Sequence, residues 1–163
     1  VEIEEECLRT LALHQPVAVD LRLIVSALKI NSALEQIGDL AVNITHKTLR
    51  LLDEPEIEIP FDLSGMWQKT QAMLRDSLDS LVNMDAALAA DVIRRDDEID
   101  QMKRDNRVLI EGMIAETPER TVPLLRLMAV SRNLERIADG ATNIADDVIY
   151  MIEGRIVRHR EVP

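Results

Sequence analysis

Three oxygen-bearing side chains recur at the same spacing in two parts of this 163-residue chain. Each set is a Glu, an Asp four residues later and an Asn four residues after that: Glu35, Asp39 and Asn43 in the first, and Glu135, Asp139 and Asn143 in the second. On an α-helix each step of four residues turns by about 40°, so the three side chains of a set project from one face. Carboxylate and amide oxygens can ligate metal ions, and a column of them is costly to pack against other helices unless a positive charge meets it. Each set is therefore a candidate stripe of metal ligands.

The residues around each set repeat as well. Leu34 to Ile44 and Leu134 to Ile144 lie one hundred residues apart and agree at seven positions. The matching apolar residues have helical spacing and predict the core face of a helix. The chain thus contains two copies of one helical motif.

The composition and the chain breaks predict an all-α fold. Aromatic residues make up 2% of the chain and there are only five Gly, while Leu, Ile, Val, Ala and Met supply the apolar positions. Four breaks, at residues 14–16, 53–60, 83–85 and 116–118, contain Pro or turn residues. They divide the chain into five long helices, predicted at about 1–13, 16–52, 63–82, 86–114 and 119–152.

The motif helices are the second and the fifth, which suggests that each one closes a three-helix unit. Residues 60–163 then form a complete three-helix bundle with a short basic C-terminal tail after Gly154 (Arg155, Arg158, His159 and Arg160). Residues 1–59 hold only two helices. The first of these starts in mid-pattern without an N-cap, so we expect one helix to be missing from the front of this first bundle.

The register of the fourth and fifth helices brings in a second pair of carboxylates. If these helices form an antiparallel hairpin that turns near Thr117, residues at equal height have numbers that sum to roughly 235. Asp96 then faces Asp139, and Asp100 faces Glu135. Two acidic pairs facing each other predict a carboxylate cage for one or more metal ions. The partners of Glu35 and Asp39 would lie upstream of Val1, so the first site should be incomplete.

Spacing alone leaves two interpretations of these stripes open. One is the metal site, to which His46 and Asp146, each eleven residues after the Glu of its copy, could add a ligand. The other is a polar seam in which the carboxylates pair with arginines, the candidates being Arg104, Arg107, Arg132 and Arg136.

Other functions receive little support from the sequence. The net charge of −11 argues against nucleic acid and anionic membrane surfaces as partners. Cys7 is the only cysteine, which excludes a disulfide framework and a cysteine-based zinc site. The chain has no Glu-x-x-His or His-Glu-x-x-His motif, no P-loop and no dinucleotide-binding glycine pattern, so we predict that it is not an enzyme. It has no apolar run long enough to insert in a membrane and no signal peptide, which favours a cytoplasmic location.

The two motif copies, together with Leu11-Ala-Leu-His-Gln-Pro-Val-Ala-Val-Asp-Leu-Arg22, make the chain similar to a known family. It resembles the PhoU family of bacterial phosphate-transport regulators over essentially its whole length. The resemblance implies two tandem three-helix bundles related by a pseudo-two-fold axis, with a metal cluster on each bundle. Glu35 and Asp39 would serve the first cluster, and Asp96, Asp100, Glu135 and Asp139 the second. Asn43 and Asn143 would be supporting ligands.

The resemblance also implies a function and partners. Members of the family restrain the phosphate ABC transporter, through its ATPase, and the phosphate-starvation sensor kinase when phosphate is plentiful, and they often form dimers. We therefore expect a metal-binding regulatory adaptor, with iron, zinc, manganese or magnesium as the ion. The chain departs from the family pattern at Gln36, where the second copy has the usual Arg (Arg136), and in its open first bundle, which a partner chain could complete. The alternatives are a carboxylate-bridged metal enzyme and a metal-free helical scaffold.

Overall fold

The computed structural model describes residues 2–54 and 58–155, and their regular structure is entirely helical. The described residues form five α-helices, and one 3-10 turn, Pro118–Arg120, precedes the last of them. The helices are α1 (Glu2–His14), α2 (Ala18–Leu51), α3 (Leu63–Asn83), α4 (Ala86–Glu116) and α5 (Thr121–Glu153). The predicted all-α class is confirmed. None of the described helices is both long and apolar enough to cross a membrane.

Side chains and backbone at the helix ends explain the boundaries. Asp62 caps α3 by accepting a hydrogen bond from the Gly65 amide at 2.8 Å, and Asp85 caps α4 by accepting from two amides at 3.0 Å. Asp85 lies in the predicted break at residues 83–85. Gly154 ends α5 with a φ of 69°, the left-handed conformation that glycine adopts without a steric cost.

Two helices begin later than predicted. Gln15 has a φ of 44°, so the chain turns there, Pro16 remains in the connection, and α2 begins at Ala18. Pro118 starts a 3-10 turn, and α5 begins at Thr121, which places Pro123 in its first helical turn, where a missing amide hydrogen costs nothing. The predicted basic residues Arg158, His159 and Arg160 lie outside the described residues.

Helix α5 forms the centre of the fold. It packs against α2, α3 and α4, and its buried residues extend from Pro123 to Met151. Helices α3, α4 and α5 all contact one another, as a three-helix bundle requires, while α1 packs against α2 alone among the described helices. One cluster of buried apolar residues includes Ile37 of α2, Met73 of α3, Val92 of α4 and Ile144 of α5. The predicted units 1–59 and 60–163 therefore share a core, and their division at residue 59 remains a prediction.

Candidate metal centre

Helices α4 and α5 form the predicted hairpin, in a register that can be read from two hydrogen bonds. The Asn106 Nδ2 donates to the Ser131 Oγ at 3.0 Å, and the Lys103 Nζ donates to Glu135 Oε1 at 2.5 Å. Both contacts lie within about one helical turn of the register in which Asp96 faces Asp139. The prediction that these two helices face each other in this register is confirmed.

The four carboxylates of the hairpin influence one another electrostatically. The pKa of Asp96 is raised from 3.8 to about 6, first by burial and then by the negative charges of Asp139, Asp100, Asp97 and Glu135. Burial also raises the pKa of Asp139, with further contributions from Glu135 and Asp100. The hairpin thus gathers the acidic residues that the register predicted.

Lys103 lies among these carboxylates and was not among the residues predicted from the sequence. Its ammonium group bridges Glu135 at 2.5 Å and Asp100 at 3.3 Å. The pKa of Lys103 is raised, mainly by the hydrogen bond to Glu135. Lys103 follows Asp100 by three residues, a spacing that places both side chains on one helix face. This spacing in the sequence could have identified Lys103 as a partner of Asp100.

The four predicted arginine partners behave differently from one another. Arg104 pairs with Asp100 at 3.2 Å, and the charge of Arg136 lowers the pKa of Asp139. Arg107 instead pairs with Glu111 of its own helix at 2.7 Å. Arg132 makes no ion pair within the described residues. The polar seam therefore exists in part, with Lys103 as its principal cation.

The donor chemistry of the cluster suits a metal ion, but its side chains are arranged around Lys103. Four carboxylates supply hard oxygen ligands, and burial together with the negative charges of its neighbours raises the pKa of Asp96. In residues 2–54 and 58–155, however, no three His, Cys, Asp or Glu side chains converge in a way that could hold an ion. Binding of a metal ion by Glu135 and Asp100 would require these carboxylates to give up their ion pairs with Lys103.

The first motif copy lies in a different environment. Glu35, Asp39 and Asn43 are all exposed on α2, and the contact to Glu35 is a hydrogen bond from the neighbouring Asn31 at 3.3 Å. Among the described helices, α2 contacts α1 and α5, and the incompleteness of this first site remains a prediction. His46 is exposed as well, and Asp146 is half-buried.

The two motif helices pack directly against each other. A polar pocket of about 180 Å³ between α2 and α5 is lined in part by Gln36, Arg136, Asp139 and Asn143. The helices approach closely at Gly140, where an added Cβ would lie 2.9 Å from two side-chain carbons of Ile37. Asn143 is exposed at this pocket. Within the described residues no hydrogen bond or ion pair holds Asn143 at the carboxylate cluster.

A second contact between α2 and α5 was not predicted. Asp147 is buried, and its carboxylate forms an ion pair with Lys29 at 3.0 Å. The backbone carbonyl of Asp147 accepts a hydrogen bond from the Ser26 hydroxyl at 3.3 Å. Lys29 also lies 5.6 Å from the centre of the Tyr150 ring, within the range of a cation–π interaction. These contacts fix the position of the first motif helix relative to the second.

Comparison with known proteins places this architecture in a family. The family model described as the PhoU domain matches residues 1–48 and 63–148. The phosphate-specific transport system accessory protein PhoU homolog of Aquifex aeolicus is 37% identical over 162 residues, which cover 99% of this chain and 73% of that protein.

Solved structures agree with the sequence match. The crystal structure of PhoU from Pseudomonas aeruginosa superposes with a TM-score of 0.89 at 35% identity, over 94% of this chain and 74% of that one. The phosphate transport system regulatory protein PhoU from Streptococcus pneumoniae gives a TM-score of 0.79 at 28% identity, over 94% and 72% of the two chains. Helix order, motif repeat and similarity over nearly the whole chain lead to one conclusion: this chain belongs to the PhoU family.

Proposed function

We propose that this chain is a metal-binding regulatory adaptor of phosphate transport, without a catalytic step of its own. The family relation supports the regulatory part, since its relatives are named as accessory or regulatory proteins of phosphate transport systems. The observation that carries the metal-binding part is the carboxylate cluster between α4 and α5, in which burial first, and the negative charges of neighbouring carboxylates second, raise the pKa of Asp96 to about 6.

In this proposal Asp96, Asp100, Glu135 and Asp139 hold the ion, which would be iron, zinc, manganese or magnesium. A bound cation would supply the positive charge that the cluster lacks. Lys103 balances Glu135 and Asp100 when no ion is bound, so the lysine and the ion compete for the same two carboxylates. Glu35, Asp39 and Asn43 serve a second cluster once acidic residues face them, and Asn43 and Asn143 act as supporting ligands.

The proposed partners are the ATPase of the phosphate ABC transporter and the phosphate-starvation sensor kinase, both restrained when phosphate is plentiful. A cytoplasmic location follows from these partners. We also propose a homodimer. An apolar groove of about 330 Å³ supports it, because the groove lies beside exposed apolar residues of α1 and α2, including Ile3, Leu23 and Leu34. A monomeric mass in solution would contradict the homodimer.

Metal content of the purified protein tests the central part of the proposal. We compare the wild type with Glu135→Gln/Asp139→Asn and with the matched first-copy variant Glu35→Gln/Asp39→Asn. Elemental mass spectrometry should find metal in the wild type and in the first-copy variant, and a loss of metal in the second-copy variant. Circular dichroism of all three proteins checks that they are folded.

A metal-free helical scaffold is the second candidate, favoured by the bridge from Lys103 to Glu135 at 2.5 Å. If the wild type binds no metal and the second-copy variant is less stable than the wild type, the cluster is a salt-bridged seam. The regulatory part has its own test, a phosphate-starvation reporter in a bacterium that lacks its own family member. The wild-type chain should restrain the reporter at high phosphate, and failure to do so would contradict the regulatory role.

A further inference from the structure

A second pocket opens between α4 and α5, next to the carboxylate cluster on the side of the hairpin turn. Its volume is about 270 Å³, and it is lined by Lys103, Arg107, Glu111, Met128, Ser131 and Arg132. Three of these six side chains are cationic and one is acidic. Lys103 is already bridged to Asp100 and Glu135, so the pocket's cations with donors left over are Arg107 and Arg132.

The cations of this pocket have donors to spare. Arg107 uses its Nε to pair with Glu111 at 2.7 Å, and the other guanidinium nitrogens of Arg107 have no partner in the described part of the chain. Arg132 is exposed and has no hydrogen bond or ion pair within the described residues. A guanidinium group presents five N–H donors in a planar fork, so the free fork of Arg132 can bind two oxygens of one anion.

A buried hydroxyl forms part of the same pocket wall. Ser131 is 2% exposed, and its Oγ accepts a hydrogen bond from Asn106 at 3.0 Å. The hydroxyl hydrogen has only the Met66 sulfur, at 3.5 Å, as an acceptor. A thioether is a weak acceptor, so the Ser131 hydroxyl can turn to an oxygen anion at little cost.

We propose that this pocket binds a dianionic phosphoryl group, either as inorganic phosphate or at the end of a small phosphomonoester. Arg132 supplies a bidentate contact, the remaining guanidinium nitrogens of Arg107 supply further charged donors, and Ser131 supplies a neutral donor. A tetrahedral oxyanion can accept hydrogen bonds from several directions at once, which matches donors that come from both helices. Nucleic acid is a poor fit, because the acidic surface of the chain would repel its backbone.

The proposal does not require a bound metal ion, and it is tested with metal removed. Isothermal titration calorimetry, in the presence of a chelator and at physiological chloride concentration, compares the affinities for inorganic phosphate and glycerol 3-phosphate. The wild type should bind at least one of them. Tighter binding of inorganic phosphate identifies the free ion as the ligand, and tighter binding of glycerol 3-phosphate identifies an attached phosphoryl group.

Two charge-matched variants identify the site. Arg132→Gln should weaken binding by about tenfold or more, because it removes the bidentate fork. Arg75→Gln removes another exposed arginine, from α3, far along the chain from the pocket, and should bind as the wild type does. The proposal is overturned if neither ligand binds the wild type at roughly 10 mM, or if both variants lose affinity equally.

Discussion

The two copies of the Glu-Asp-Asn motif have the same residues and different surroundings. In the second copy Glu135 is 7% exposed, is bridged by Lys103 and shares a cluster with Asp96, Asp100 and Asp139. In the first copy Glu35 and Asp39 are exposed, and Glu35 accepts a hydrogen bond from a neutral Asn on the same helix. A motif on one helix supplies ligands, and the helix that faces it decides whether they form a site.

The difference arises from the positions of the two motif helices in the fold. Helix α5 is covered by α2, α3 and α4, whereas α2 contacts only α1 and α5 among the described helices. The second motif therefore lies under a facing acidic helix, and the first lies on an open side. Three pairs of substitutions, matched between the copies, test how much this difference matters.

The largest effect is expected from removing the cation of the second copy. Lys103→Met keeps the aliphatic stem but leaves the buried Glu135 carboxylate without its ion pair, among other negative charges. We expect a loss of about 2 kcal/mol in the free energy of unfolding, less than for a fully buried pair because Lys103 is partly exposed. Urea denaturation in the presence of a chelator measures this loss of stability.

The matched change in the first copy is Asn31→Ala, which removes the neutral partner of Glu35. Because both residues are partly or fully exposed, the expected change is within about 0.5 kcal/mol. Equal losses in the two variants would show that the copies have similar environments.

A smaller effect is expected from the glycines of the two motifs. A Cβ at Gly140 would lie 2.9 Å from two carbons of the buried Ile37 side chain, so Gly140→Ala should cost about 1–2 kcal/mol by forcing α2 and α5 apart. At Gly38 nothing lies within 4 Å of an added Cβ, and Gly38→Ala should stabilise the helix by about 0.5–1 kcal/mol. Thermal unfolding of the two variants should give shifts of opposite sign, and a stabilising Gly140→Ala would contradict the close approach.

The smallest effect concerns pH. Asp96 has a pKa of about 6 in the folded protein and about 3.8 when unfolded, so the folded state takes up the proton first as pH falls. Its contribution to stability is therefore highest below about pH 3.8 and is lost as pH rises through about 6. Asp96→Asn should stabilise the metal-free protein at pH 7 by about 1 kcal/mol, after allowance for solvent screening at a half-exposed group.

The pH profile distinguishes this explanation from a general effect of charge. The advantage of Asp96→Asn over the wild type should shrink between about pH 7 and pH 4. Asp39→Asn makes the same chemical change on the exposed first copy and should alter stability by less than about 0.5 kcal/mol at any pH in this range. An advantage of Asp96→Asn that does not depend on pH would contradict the raised pKa.

Much of the fold could be predicted from the sequence because its signals are local. Pro, Asp and Gly at the breaks have intrinsic backbone and capping preferences, and all five helices were found at their predicted places. The error at Pro16 has a local cause too: a proline that can begin a helix can equally lie in the turn before it. That Asp96 lies opposite Asp139 could be predicted, because a short turn between two antiparallel helices fixes which residues lie at equal height.

The contacts that were missed are those between side chains of different helices. Lys103 was identifiable by its spacing from Asp100, but four arginines were equally plausible partners, and spacing could not choose between them. Asp147 was unremarked because nothing in α5 by itself indicates that Lys29, 118 residues away along the chain, meets it.

The sequence by itself determined the helices, their register in the hairpin and the residues that could ligate a metal, since these depend on backbone preferences and on periodicity along one chain. Only the tertiary structure decided that Lys103 lies between Glu135 and Asp100, that Arg132 remains unpaired beside a pocket, and that one motif copy is covered while the other is exposed. Burial and ion pairing depend on which helices pack together, and the same three side chains therefore acquire different properties at the two places where they occur.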